Sequence, residues 1–267
     1  MAGAAIWRID PLSEIVPAAR LVDVHKSFGR VQVLRGITME ARPGEIVALV
    51  GDNGAGKSTL IKIITGVHKP TSGEVWIRGR KVELSSAQDA RRLGVETVYQ
   101  ERALADQQSL WRNIFAGREI RGPLGFMKVE EQRRETERLL RSHMGFTSQA
   151  FEVDGEVKGL SGGEKQGIAI ARALYFEAEL IILDEPTMGL SLKETDRVLD
   201  FARGIRDAGK SVILIDHNIL HVYSLADRFV ILDRGRVAAE FTRDQITRDQ
   251  LMEMMVELHQ TGEVRVQ

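Results

Sequence analysis

An α/β fold with a largely parallel sheet follows from three observations in the 267-residue sequence. Short apolar runs without polar alternation, such as residues 46–50 and 212–215, read as strands covered on both faces. A glycine-rich segment leads from the first of these runs into a helical pattern. A third run, residues 180–183, ends in two adjacent carboxylates, at the strand edge where open α/β sheets hold their ligands.

Bulk composition sets the frame. A chain of this length holds one large domain with a substantial core, or a domain plus a small lobe. Its 43% hydrophobic and 28% charged residues and net charge of -1 are those of an ordinary soluble globular protein. The balanced charge argues against nucleic acid as a partner, since phosphate-dominated binding uses a clustered Lys/Arg surplus. With no cysteine, disulfides and thiolate metal sites are excluded, and cytosolic exposure is expected. The apolar runs fall well short of the ~20 residues of a membrane-spanning helix.

Along the chain, residues 1–20 carry Asp10, Pro11, Glu14 and Pro17 without a sustained apolar segment, so a loose leader is expected rather than a secretory signal. Strands are expected over 21–24, 46–50, 75–77, 95–98, 180–183, 212–215 and 229–232. The rhythm breaks between Asp106 and Gly159, where residues 128–144 form a charged helical stretch with Val129, Leu139 and Leu140 as sparse apolar positions. Its charges alternate in sign, the pattern of a solvated helix face in an inserted helical lobe. Leu251, Met254, Met255 and Leu258 recur at helical spacing, which predicts a packed terminal helix.

Three motifs carry chemistry. Gly51, Asp52, Asn53, Gly54, Ala55, Gly56, Lys57, Ser58 and Thr59 follow one strand and open a helix, satisfying both the pattern and the context of a P-loop. Glycines let the backbone wrap a phosphate, and the loop amides and helix amino terminus face the anion. Lys57 suits the β- and γ-phosphates, and Ser58 places a hydroxyl on Mg2+. Asp184 fits a carboxylate on the Mg2+ side and Glu185 the group that polarises an attacking water. Adjacent strand residues point to opposite sides, so the two carboxylates are expected to differ in role. Ser161, Gly162, Gly163 and Glu164 open a third helical run. Ser161 and Glu164 fit a capping box, while the two glycines leave the first amides uncovered for a second phosphate.

In this order the P-loop, the Leu160-Ser161-Gly162-Gly163 signature and the strand ending in Asp184 and Glu185 resemble the ABC ATPase family, over roughly residues 21–258. The resemblance implies a P-loop NTPase fold with a RecA-like α/β core, an antiparallel β subdomain and a helical subdomain at about 101–175, followed by a tail at 259–267. It implies ATP and Mg2+ as cofactors, and a dimer in which Ser161, Gly162 and Gly163 complete the partner's site in trans; Gln166 is counted with the ATP-binding residues, in the polar role at the helix start. By position, Gln100 matches the residue that meets Mg2+ or water and relays closure, His217 the residue that contacts the γ-phosphate, and Phe28 the aromatic under adenine.

Residues 113–119, 185–194 and 226–228 look like those of bacterial monosaccharide importers, most of all single-cassette fructose-type members. That branch implies a homodimer on the cytoplasmic face of the bacterial inner membrane. Its partners would be permease subunits and, indirectly, a periplasmic sugar-binding protein. Another importer or exporter of the family, or a soluble non-transport ABC ATPase, stays open as an alternative. Three departures stand out: Ser191 replaces the usual aspartate of the D-loop, Glu164 replaces a common glutamine, and Asp216 replaces a common serine before His217. A carboxylate beside His217 either favours its protonated form or repels the γ-phosphate.

Overall fold

The computed structural model describes residues 15–99, 104–143 and 152–261. In chain order the strands are β1 (Ala19–Phe28), β2 (Val31–Ala41), β3 (Ile46–Val50), β4 (Ser72–Ile77), β5 (Arg80–Val82), β6 (Val95–Tyr99), β7 (Leu180–Asp184), β8 (Ser211–Ile215), β9 (Arg228–Asp233) and β10 (Arg236–Thr242). The α-helices are α1 (Lys57–Ile64), α2 (Ala87–Arg92), α3 (Leu110–Phe115), α4 (Val129–His143), α5 (Gly162–Tyr175), α6 (Leu192–Asp207), α7 (Ile219–Leu225) and α8 (Arg248–Thr261).

Two sheets form. The central one has the order β10-β9-β3-β8-β7-β6 and is parallel except for the β9–β10 hairpin. Every residue of β3 and β8 is buried, which is why these strands read as uninterrupted apolar runs. The second sheet, β2-β1-β4-β5, is antiparallel and half-exposed. Leu21, Leu34, Ile37 and Val75 point from it into a core shared with α1 and one face of the central sheet. The opposite face packs against Ala169, Leu199, Ile205, Val222 and Leu251 from the last four helices.

Between β6 and β7 stand α3, α4, a short 3-10 helix at Val157–Gly159 and α5. Ile114, Phe115, Leu139, Leu140 and Ile168 close a separate core there. Helix α4 buries Gln132, Thr136, Leu139 and Leu140 on one stripe and leaves most of its charges in water, where exposed pairs such as Arg141–Glu137 contribute little. The lobe is tied to the sheet by Glu96 of β6, only 4% exposed, which pairs with Arg118 at 2.6 Å and Arg91 at 3.6 Å.

Two expected boundaries move. Ala18 and Ala19 are 5% and 3% exposed, Ala18 exchanges backbone hydrogen bonds with Ala41 and Arg78, and β1 already begins at Ala19. Residues 18–20 therefore belong to the folded body and not to a leader over 1–20. At the other end α8 continues to Thr261, past the expected limit at 258. Among the described residues no helix is long and apolar enough to cross a membrane.

Candidate functional site

Beyond the carboxyl ends of β3, β7 and β8 lies a cleft of about 160 Å3. The P-loop, the β7 carboxylates and His217 all reach it. Its walls are Val33, Asp52, Asn53, Gly54, Gly56, Lys57, Ser58, Thr59, Asp184, Glu185, Ile215 and His217.

The loop is shaped by two glycines at positive φ, where an L side chain is strained. Gly51 has φ 151°, and a Cβ there would sit 2.3 Å from the Leu232 carbonyl oxygen. Gly56, at φ 109°, is the residue before α1, and a Cβ would stand 2.6 Å from Leu34 Cδ2. No side chain caps the amino terminus of α1 and its first turn holds no acid, so its leading amides favour an anion from outside the helix. Lys57 Nζ donates to the Gly51 and Asp52 carbonyls at 2.5 and 3.0 Å, which holds the ammonium across the loop. Burial lowers its pKa, opposed by Asp52, Glu185 and Asp184. Gly51 and buried Ala55 do not line the cleft; they build its frame, Gly51 through its carbonyl and Ala55 by accepting from Gly235 N at 3.0 Å.

The two carboxylates do not diverge as strand alternation predicts. Strand β7 ends at Asp184, and Glu185 turns into the left-handed region at φ 51° while its amide donates to Ile215 O at 2.7 Å. That single turn brings both acids to one cleft. A non-glycine residue there costs about 1–3 kcal/mol and persists because the neighbouring strand holds it. Glu185 Oε1 lies 2.7 Å from His217 Nε2. Desolvation, and then the negative charge of Glu185, raise the Asp184 pKa, with Lys57 and His217 opposing. A carboxyl raised on folding stabilises the fold only below its unfolded pKa, and that contribution is lost as pH rises through the folded value. At neutral pH the ionised Asp184 thus costs stability, and Asp184→Asn is expected to raise the melting temperature of the nucleotide-free chain at pH 7 while abolishing turnover. A melt at pH 7 showing a lower midpoint would contradict this.

Asp216 does not engage His217. Its carboxylate accepts from Thr187 Oγ1 at 2.6 Å and from Asn218 N at 2.8 Å, and Asn218 in turn caps α7. Sequence reasoning missed Thr187 as the partner that occupies this charge, although it sits two residues after Glu185. It also missed Val33 and Ile215, the apolar walls. Phe28 is 44% exposed and outside the cleft lining; its ring meets Lys26 Nζ at 4.9 Å and the His68 ring edge-on at 5.2 Å. The hairpin that carries Phe28 nonetheless delivers Val33 to the cleft.

Ser161, Gly162 and Gly163 are brought together at the start of α5, away from the cleft lining. Ser161 and Glu164 form the expected capping box: Ser161 N donates to Glu164 Oε2 at 2.8 Å and Glu164 N to Ser161 Oγ at 3.3 Å. Glu164 thus caps its own helix. Gln166 follows on α5 with its side chain outside the described parts, and Gln100 lies outside the described residues.

Fold and cleft together define a P-loop nucleotide-binding domain of the α/β class. The sequence profile of the ABC transporter family matches residues 34–188, more than half of the chain. Similar proteins include the xylose/arabinose import ATP-binding protein of Sulfolobus acidocaldarius, 44% identical across 87% of this chain and 91% of that one. The fructose import ATP-binding protein of Rhizobium meliloti is 41% identical across 79% of this chain and 83% of its own. Among solved structures, an ATP-binding subunit of an ABC transporter superposes with a TM-score of 0.72 at 29% identity, covering 91% of this chain and 99% of that one. A dimeric bacterial ABC transporter cassette gives 0.70 at 28% identity over 84% and 98%. The chain belongs to the ABC transporter family and has the fold of its ATP-binding cassettes; it is an ATPase of that family.

Proposed function

We propose that this chain is the ATP-hydrolysing subunit of a monosaccharide importer, acting as a homodimer whose two sites each combine one copy's P-loop with the other's signature. The observation that carries the composite site is the separation in the fold: Lys57, Ser58, Asp184, Glu185 and His217 share one cleft, and Ser161, Gly162 and Gly163 stand outside it. Hydrolysis needs donors on more than one side of the transferred phosphoryl group, and a second copy supplies them. A solved relative in dimeric form supports the pairing.

In this reading the P-loop and the uncapped start of α1 hold the β- and γ-phosphates, with Lys57 between them. Among the described residues no group of three or more acids or histidines is placed to hold a metal. Of the hydroxyls and carboxylates that line the cleft, Ser58 and Asp184 are the pair we assign to a Mg2+, which would take its remaining oxygens from phosphates and water. Bound there, the ion would neutralise charge developing between the β- and γ-phosphates. Glu185 accepts a proton from the attacking water as its oxygen bonds to the γ-phosphorus and the bond to ADP breaks, releasing ADP and phosphate. His217, 2.7 Å from Glu185, orients that carboxylate and reaches the γ-phosphate. Phe28 is the proposed platform for adenine, and Gln100 the proposed relay to permease subunits.

Support for a sugar as cargo comes from the relatives named for import of xylose and arabinose and of fructose. We place the subunit peripherally on the cytoplasmic face of the plasma membrane, against permease subunits fed by a sugar-binding protein. Reconstitution with the cognate permease into vesicles tests this. ATP-driven uptake of xylose, arabinose or fructose that disappears with Glu185→Gln supports it. Uptake of a non-sugar with no sugar dependence overturns the cargo assignment.

A further inference from the structure

The phosphate-facing end of α5 is already occupied by an acid of the same chain. Glu194, in the first turn of α6, accepts from Gly163 N through Oε1 at 3.2 Å. Its other oxygen accepts from Ser191 N at 3.0 Å and Ser191 Oγ at 2.8 Å. The Ser191 hydroxyl and amide, then the Ser161 hydroxyl and the Gly163 amide, hold the Glu194 carboxyl down at about 2, so it is an anion throughout the physiological range. The approach is close: a Cβ on Gly163 would lie 2.7 Å from Glu194 Cγ. One of the signature donors assigned above to the partner's ATP, the Gly163 amide, is therefore spent on this carboxylate.

We propose that Glu194 is an internal competitor for the partner's γ-phosphate, a latch on the signature that must swing away before two copies close on ATP. The inference rests on the composite-site reading given above. A carboxylate left in place would face the incoming phosphate with like charge and with the Gly163 amide taken. Moved away, Glu194 keeps Ser191 as a partner, so α6 retains its cap and the release disturbs little else. Glu194 follows Glu185 by nine residues, so the latch belongs to the segment leading from the hydrolytic carboxylate into α6. The latch sets the ATP threshold for pairing, and the usual D-loop aspartate is replaced here by the serine that anchors it.

The test uses the full chain carrying Glu185→Gln, which keeps bound ATP from being consumed. Its ATP- and Mg2+-driven dimerisation is compared by sedimentation with that of the double variants that add Glu194→Gln or Glu194→Asp. Glutamine removes the charge. Aspartate keeps the charge and the Ser191 cap but is one methylene too short for Gly163. Both double variants are expected to pair at protein concentrations on the order of tenfold lower. Binding of fluorescent ADP to the unpaired chain stays unchanged, because Glu194 does not line the cleft. Folded double variants that pair at the same or higher concentration overturn the latch. A Glu185→Gln chain that stays monomeric at saturating ATP overturns the composite-site reading itself, and the latch with it.

Discussion

Glu185→Gln is expected to cut steady-state phosphate release by about 100- to 10,000-fold while leaving ATP binding intact, the effect of removing a general base. The Glu185 amide is fixed by Ile215 O, a φ of 51° turns the residue out of the strand, and its side chain meets His217 at 2.7 Å. Glutamine has the same shape and keeps an oxygen for His217, so the cleft is preserved and only the proton acceptor is lost. It also removes a negative charge beside Asp184, which favours the binding of a polyanion. ATP should therefore persist in the cleft and hold two chains together. Turnover near the wild-type rate would refute Glu185 as the base.

The second large effect concerns stability. Arg228 is 1% exposed and is the largest fully buried side chain among the described residues. Its guanidinium meets Glu45 bidentately, Nε to Oε1 at 2.6 Å and Nη2 to Oε2 at 2.7 Å. It also donates to Glu240 of β10 and, at 2.7 Å, to the Glu40 carbonyl of β2. One side chain thus joins the central sheet to the antiparallel one. Arg228→Leu leaves the nearly buried carboxylates of Glu45 and Glu240 without their cation, Glu45 keeping only the Arg42 amide at 3.2 Å, and is expected to destabilise the fold by about 3–5 kcal/mol, read as a shift in the urea midpoint. Replacing Glu45 and Glu240 by apolar residues in the same chain should recover most of that loss, because the penalty belongs to the orphaned charges. An unchanged midpoint for the single variant would contradict this account.

The parts of the site that sequence makes legible are those whose chemistry and local conformation coincide. A P-loop is one contiguous segment, its glycines are demanded by its own backbone, and β3 announces itself as five apolar residues. The capping box of Ser161 and Glu164 is likewise local. What was not legible depends on contacts between distant segments. Strand β2 escaped because Arg35 and Gly36 interrupt its apolar alternation, at a place where the pairing with β1 shifts register. Strand β10 lies at the sheet edge with no buried run to mark it. The orientation of Glu185 follows from a hydrogen bond to a strand thirty residues later, and Asp216 is taken by Thr187 across the same gap. Ala226, Asp227 and Arg228 read as a branch marker in sequence, whereas in the fold Asp227 accepts from Ile46 N and Arg228 joins the sheets. The latch on Gly163 spans 31 residues and has no local signal beyond the capping pattern of Ser191 and Glu194.

A catalytic site split between two copies of the chain is tested most directly by mixing two inactive variants. Lys57→Ala removes the P-loop ammonium, and Gly163→Asp blocks the signature with a carboxylate. Each chain alone should release phosphate at background rate. In a one-to-one mixture the mixed dimer contains one site with both defects and one site with neither, so ATPase activity should return. A mixture that stays at background, with both variants folded and able to pair with wild-type chain, would contradict the composite site.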